Sequence, residues 1–128
     1  MNALNKYGPL TARVLISLIF VVSGVLKIFF FNNTLQYMQS VNIPFVTFGL
    51  VIAIIIEIFG GVSLIFGLKI KWVAWVLIGY TIILTLIFHT NFADQTQMVA
   101  FLRNLAIIGG LILISIHGPG PFSLDKKR

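Results

Sequence analysis

One carboxylate, Glu57, lies in the middle of the long apolar run from Phe45 to Gly67. A charged side chain at the centre of a bilayer costs about 2.5–3.5 kcal/mol even on the mildest scale, so it is expected to face inward and find a partner. Two cations in apolar segments can meet it, Lys27 in the first and Arg103 in the last. His89 and Asn104 add hydrogen-bonding groups beside them. Such a set supports two chemistries: relay of a proton through a carboxylate, and charge-assisted hydrogen bonding to a ligand oxygen. The same residues, pairing Glu57 with Lys27 or Arg103, also suit a bland role in which the pair only fixes helix register.

Other chemistries are excluded by residue type. The chain has no cysteine, which removes disulfides, thiol redox chemistry, Cys-ligated zinc, iron–sulfur clusters and covalent haem attachment. His89 and His117 fall at opposite ends of spans, about 30 Å apart across a bilayer, so they cannot share one haem iron. No metal site is expected, and a redox role requires a bound organic cofactor or a partner protein. His89, at a helix end, reads as an interfacial or hydrogen-bonding residue rather than a ligand.

The elements that must position these residues are set by composition. Hydrophobic residues make up 59% of the 128 positions and charged residues 9%, with a mean hydropathy of +1.05. Soluble domains are roughly 45–50% apolar and 25% charged. The chain is therefore expected to be an all-α polytopic membrane protein, one domain over 1–128, with room for about four spans of about 20 residues.

A polar leader, Met1 to Pro9, precedes a first span at about 10–31, read as a retained helix because Lys27 does not suit a cleaved signal. Arg13, Ser17, Gly24 and Lys27 share one face of it, leaving Leu18, Ile19, Val22 and Phe29 for lipid. Residues 32–44 carry Leu35, Met38 and Val41 at the spacing of a short amphipathic helix lying at the membrane surface. The second span, 45–67, aligns Glu57 with Gly60, Gly61, Ser63 and Gly67, and small residues let helices approach closely in lipid. After a short link comes the third span, 72–88, whose inward face carries Thr81, Thr85 and His89. Trp72, Trp75 and Tyr80 read as interfacial anchors or lipid-facing bulk. The fourth span, 98–117, follows a polar turn containing Asp94 and presents Arg103, Ala106 and Gly110, with Asn104 and Gly109 beside them. Gly24, Gly60, Gly61, Gly67, Gly109 and Gly110 are the expected helix-packing positions.

Basic residues near the span ends set the orientation. Lys6, Arg13, Lys69, Lys71, Lys126, Lys127 and Arg128 fall on one side, against Lys27 and Arg103 toward the other, so both termini are expected in the cytoplasm. The net charge of +6 is then met by anionic headgroups of the inner leaflet, with no role for nucleic acid. At about 1.5 Å of rise per residue, Lys27 lies about 6 Å, Arg103 about 8 Å and Glu57 about 18 Å below the outer boundary. These depths predict a polar cavity in the outer half of a four-helix bundle, built from Lys27, Glu57, His89, Arg103 and Asn104.

The run Phe20-Val-Val-Ser-Gly-Val-Leu-Lys27, Glu57-x-x-Gly-Gly61 with Gly67, His89, Arg103-Asn-Leu-Ala106 with Gly109-Gly110, and the ending Gly118-Pro-Gly-Pro-Phe-Ser-Leu-Asp125 together resemble the DoxX family of small bacterial inner-membrane proteins. The resemblance spans nearly the whole chain, with a departure at Arg103, where the family more often has lysine. Charge is kept there, but a deprotonatable amine is not. What the resemblance implies is a link to membrane redox complexes and oxidative-stress tolerance, with a quinone as ligand and a membrane or peripheral redox protein as partner. Three functional readings follow: a quinone-interacting or accessory subunit of a membrane oxidoreductase, a small proton-coupled exporter working as a homo-oligomer, and a non-catalytic assembly partner. An ion-paired Glu57 inside one bundle would favour the first, and an unpaired Glu57 at a dimer interface the second.

Cysteine accessibility in intact cells checks the expected orientation. Asp94→Cys should react with an impermeant reagent from outside and Ser123→Cys should not. The reverse pattern would invert the chain.

Overall fold

A computed structural model describes residues 3–88, 93–118 and 120. Its five helices are α1 (Ala3–Phe29), α2 (Phe31–Ser40), α3 (Val46–Phe66), α4 (Ile70–Phe88) and α5 (Gln95–His117). All but α2 are long and apolar enough to cross a membrane. The described residues contain no strand, so the expected all-α membrane architecture is the one observed.

Local chemistry explains where the helices start and stop. The leader is helical from Ala3, earlier than the expected start near residue 10, because no helix-breaking residue precedes Pro9 apart from one glycine. Within α1, Pro9 removes a single bond, the one its missing amide would make to the carbonyl of Asn5. Between α2 and α3 the backbone takes left-handed conformations at Asn42 and Phe45, which turns the chain into the second span. Gly67 ends α3 at φ 70°, in the left-handed region that favours glycine. There the amide of Leu68 donates to the carbonyl of Ser63 at 2.9 Å, and α4 begins only three residues later. The fourth span starts at Gln95 rather than near residue 98, since the Asp94 side chain accepts from the amide of Thr96 at 2.9 Å and caps the first turn.

Helix α1 packs mainly on α3, α4 mainly on α5, and α3 joins the two pairs. The α1–α3 seam is close because glycines remove the side chains that would hold it apart. A Cβ on Gly61 would stand 2.5 Å from Val21 Cγ2 and 3.2 Å from the backbone carbonyl oxygen of Ser17, and one on Gly24 would stand 2.6 Å from Ile58 Cγ1. Gly60 faces Leu77 and Gly110 faces Ile16 in tight contacts, whereas Gly109 has open space beside it. Gly67 acts at the helix end described above.

The two halves of the bundle are packed differently. Phe20, Leu64, Ile70, Ala74, Leu77, Ile78, Leu111 and Ile114 form a closed apolar core toward the α3–α4 turn. At that same end Gly120, just after α5, lies against Pro9 of α1, so the start of α1 and the end of α5 share one side of the bundle. The other half, where α2 crosses over the helices, is the polar half.

Two corrections concern helix faces. Ile19, expected in lipid, turns into the polar half, and the buried face of α5 is Ala100, Asn104, Leu111, Ile114 and Ser115 rather than the stripe through Arg103 and Ala106, both of which are exposed. One residue along a helix is a rotation of about 100°, so a stripe centred on Arg103 instead of Asn104 is displaced by that angle.

Overpacking a tight helix seam typically costs about 1–3 kcal/mol. Gly61→Ala should therefore lower the melting temperature in detergent, because the Cβ meets α1 backbone that cannot step aside. Gly109→Ala should leave it unchanged or raise it. Equal losses at both positions would mean that the α1–α3 approach is not the limiting contact.

Candidate functional site

Glu57 is 2% exposed on the α3 face that meets α1. Lys27, in the last turn of α1, reaches both of its oxygens, at 3.1 Å to Oε1 and 3.0 Å to Oε2. The same ammonium donates to Ser23 Oγ, one turn earlier, at 2.8 Å. From α4, the hydroxyl of Tyr80 donates to Glu57 Oε2. The carboxylate is thus held by a cation, itself steadied by a serine, and by a neutral donor. Burying an ion pair in a low-dielectric interior requires this kind of saturation.

A second polar chain runs between α4 and α5. Asn104 Nδ2 donates to Thr85 Oγ1 at 2.9 Å. Thr85 and Thr81 donate in turn to carbonyls one turn back, those of Thr81 and Leu77, at 2.7 Å each. These threonines satisfy their hydroxyls within α4, which lets them face the interior of the bundle.

Between the two polar groups is a pocket of about 300 Å³. Lys27, Glu57, Tyr80, Arg103 and Asn104 supply its polar atoms, together with Ser23, Thr34 and Thr81. Ile19, Phe20, Ala53, Leu84, Phe88 and Ile107 give it apolar walls. Tyr37 and Met38 of α2 complete the lining, and Tyr37 stacks on Phe88 with ring centroids 5.6 Å apart. Of the amphipathic face expected on this segment, Met38 is buried while Val41 remains exposed, so α2 closes the pocket rather than only resting at a surface. The volume is at the small end of the roughly 300–1,000 Å³ usual for ligand sites.

Four of the five residues expected to form a polar cavity, Lys27, Glu57, Arg103 and Asn104, line this pocket. The fifth, His89, lies outside the described residues. Of the two candidate cations, Lys27 makes the ion pair; Arg103 lines the pocket without a hydrogen bond or ion pair among the described residues. Tyr80 corrects the expectation of an interfacial or lipid-facing role, since it binds Glu57, while Trp72 and Trp75 are exposed as expected. Its neighbour Thr81, on the inward face of α4, was the available signal.

Arg13 is a further residue whose role the sequence did not disclose. It is 1% exposed and donates to the carbonyls of Leu64 and Ile65 at 3.0 and 3.1 Å. Those carbonyls belong to the last turn of α3, where acceptors have no partner within the helix and where a cation also suits the helix dipole. Among the described residues, no group of three or more His, Cys, Asp or Glu could hold a metal ion.

Removing one partner of a buried pair typically costs about 3–5 kcal/mol, and removing both costs less than the sum. Lys27 is the more exposed partner, at 23% against 3% for Glu57, so the lower end of that range applies. Detergent melting of Lys27→Gln, Glu57→Gln and the double variant should show a double loss smaller than the two single losses added. Strict additivity would mean that the pair contributes nothing to stability.

A family model described as DoxX matches residues 8–90. Inner membrane protein YqjF of Escherichia coli (strain K12) is 36% identical over 126 residues, covering 98% of this chain and 95% of its own length. Inner membrane protein YphA of the same organism is 32% identical over 123 residues, covering 92% and 88%. A Bacillus subtilis (strain 168) protein named "Putative oxidoreductase CatD" is 33% identical over 119 residues, covering 93% of this chain and 68% of its own. No solved structure matches. Four membrane-length helices, the family model and relatives that cover nearly the whole chain agree: this protein belongs to the DoxX family and is a multi-pass protein of the inner membrane.

Proposed function

We propose that this protein is an accessory, quinone-interacting subunit of a membrane redox system, with both termini in the cytoplasm and the pocket in the outer half of the bilayer. The observation that carries the reading is the internal pairing of Glu57 with Lys27 and Tyr80 at the wall of a ring-sized pocket. A proton-coupled exporter would need that carboxylate available to its transport path, and here both oxygens are engaged within one bundle. The oxidoreductase name of one relative adds support from outside the chain.

The residues fit such a ligand. Phe20, Phe88 and Tyr37 provide flat apolar surface, and Arg103 provides planar donors. A guanidinium hydrogen bond to oxygen is roughly twice as strong as a neutral one. A quinone would bring the capacity to accept electrons and protons, which these side chains lack. Arg103 would hold a ring oxygen, and Tyr80, Glu57 and Lys27 form a connected donor and acceptor set able to hold or pass a proton beside it. With no cysteine in the chain, electrons would come from a membrane or peripheral partner protein.

Purified protein should gain melting temperature in a saturable way with a short-chain quinone, and Arg103→Ala should abolish the gain while circular dichroism still reports a folded helical protein. Absence of both a saturable shift and copurified quinone in the folded wild type would leave the assembly-partner reading.

A further inference from the structure

The charges around the pocket do not cancel. Its lining contains two cations, Lys27 and Arg103, and one carboxylate, Glu57. Glu57 is already matched by Lys27 at 3.0 Å, which among the described residues leaves Arg103, at the exposed edge of the lining, as a surplus positive charge. Arginine does not shed its proton in proteins, so the charge cannot be removed by neutralisation. Among the described residues no other carboxylate supplies the balance. The chain has three acidic residues. Asp94 caps the start of α5, nine residues and about 13 Å of helix from Arg103.

Resting on the ligand-pocket reading above, we infer that the pocket selects amphipathic monoanions, ring compounds carrying one ionised oxygen group, and that Arg103 is the residue that selects them. A neutral carbonyl would accept a hydrogen bond from Arg103 and leave the surplus charge in place. An oxyanion accepts the same bond and cancels the charge. The apolar remainder of the ligand meets Phe20, Leu84, Phe88 and Ile107. A cavity of about 300 Å³ holds one or two rings and not a whole phospholipid, although a lipid phosphate could present the same oxyanion to Arg103 from the bilayer.

A matched pair tests the charge directly: 2-naphthoate and its neutral methyl ester, titrated by calorimetry against full-length protein in uncharged detergent, with a short-chain quinone as a third ligand. Naphthoate should bind about tenfold or more tightly than the ester, the margin expected when the acceptor of the Arg103 bond carries a full opposite charge. Arg103→Gln should bring the ratio close to one, with naphthoate weakened more than the ester; Arg103→Lys should restore part of it. In nanodiscs, weakening of naphthoate binding by phosphatidylglycerol relative to phosphatidylcholine would identify a lipid phosphate as a natural source of the oxyanion. Binding indifferent to that lipid would identify a small free acid. Equal affinity for naphthoate and ester beside clear quinone binding would overturn the charge selection and leave the quinone pocket standing. Failure of all three ligands would remove both, and a ratio that survives Arg103→Gln would overturn the role given to Arg103.

Discussion

A single buried carboxylate constrains this fold. Placed in mid-membrane, Glu57 must have its charge matched and its lone pairs occupied, since water is not there to do either. Three helices converge to meet that demand: Lys27 from α1, Tyr80 from α4 and Glu57's own α3. Convergence requires that α1 and α3 nearly touch. Gly24, three residues before Lys27 and within 3.3 Å of Glu57 Cβ when given a side chain, is where that requirement is met. Packing and electrostatics are therefore one design along this seam, because any residue that pushed the helices apart would also draw the lysine from its partner.

The unequal halves of the bundle follow from the same constraint. Toward the α3–α4 turn the interior is mostly leucine, isoleucine and alanine, and its one buried charge, Arg13, is met by backbone carbonyls among the described residues. Toward α2 the interior must accommodate an ion pair, a tyrosine hydroxyl, an asparagine and two threonines. Side chains joined by directional bonds cannot fill space as freely as aliphatic ones, and a cavity remains among them. Helix α2 covers this half through Tyr37 and Met38, a coverage that the sealed half does not need.

What could be read from sequence divides along a physical line. Depth along a helix is a matter of counting, so Glu57, Lys27, Arg103 and Asn104 could be assigned to the same half of the bundle, and all four line the pocket. Rotation about each helix is harder, because one residue changes the direction by about 100°. Centring α5 on Arg103 placed Asn104 beside the buried face rather than on it, and regarding Tyr80 as a membrane anchor hid another partner of Glu57. Aromatic residues give little guidance in this setting, since lipid and a protein interior both accept them. Arg13 was hidden for another reason: its charge already had an explanation in topology, and nothing in the local sequence indicates the helix-end carbonyls of Leu64 and Ile65 some fifty residues away.

The two cations of α1 show why residue type matters at each end of the seam. At one end Arg13 serves two backbone carbonyls at once, a task for several donors in a rigid fork that stay protonated whatever the surroundings. At the other end Lys27 is a compact charge with rotatable donors, shared among Ser23 and both oxygens of Glu57. Arg13 thus lies in the sealed half, whereas the Lys27–Glu57 pair borders the cavity. Arg103 brings a second guanidinium to the lining of that cavity, where none of the described residues pairs with it.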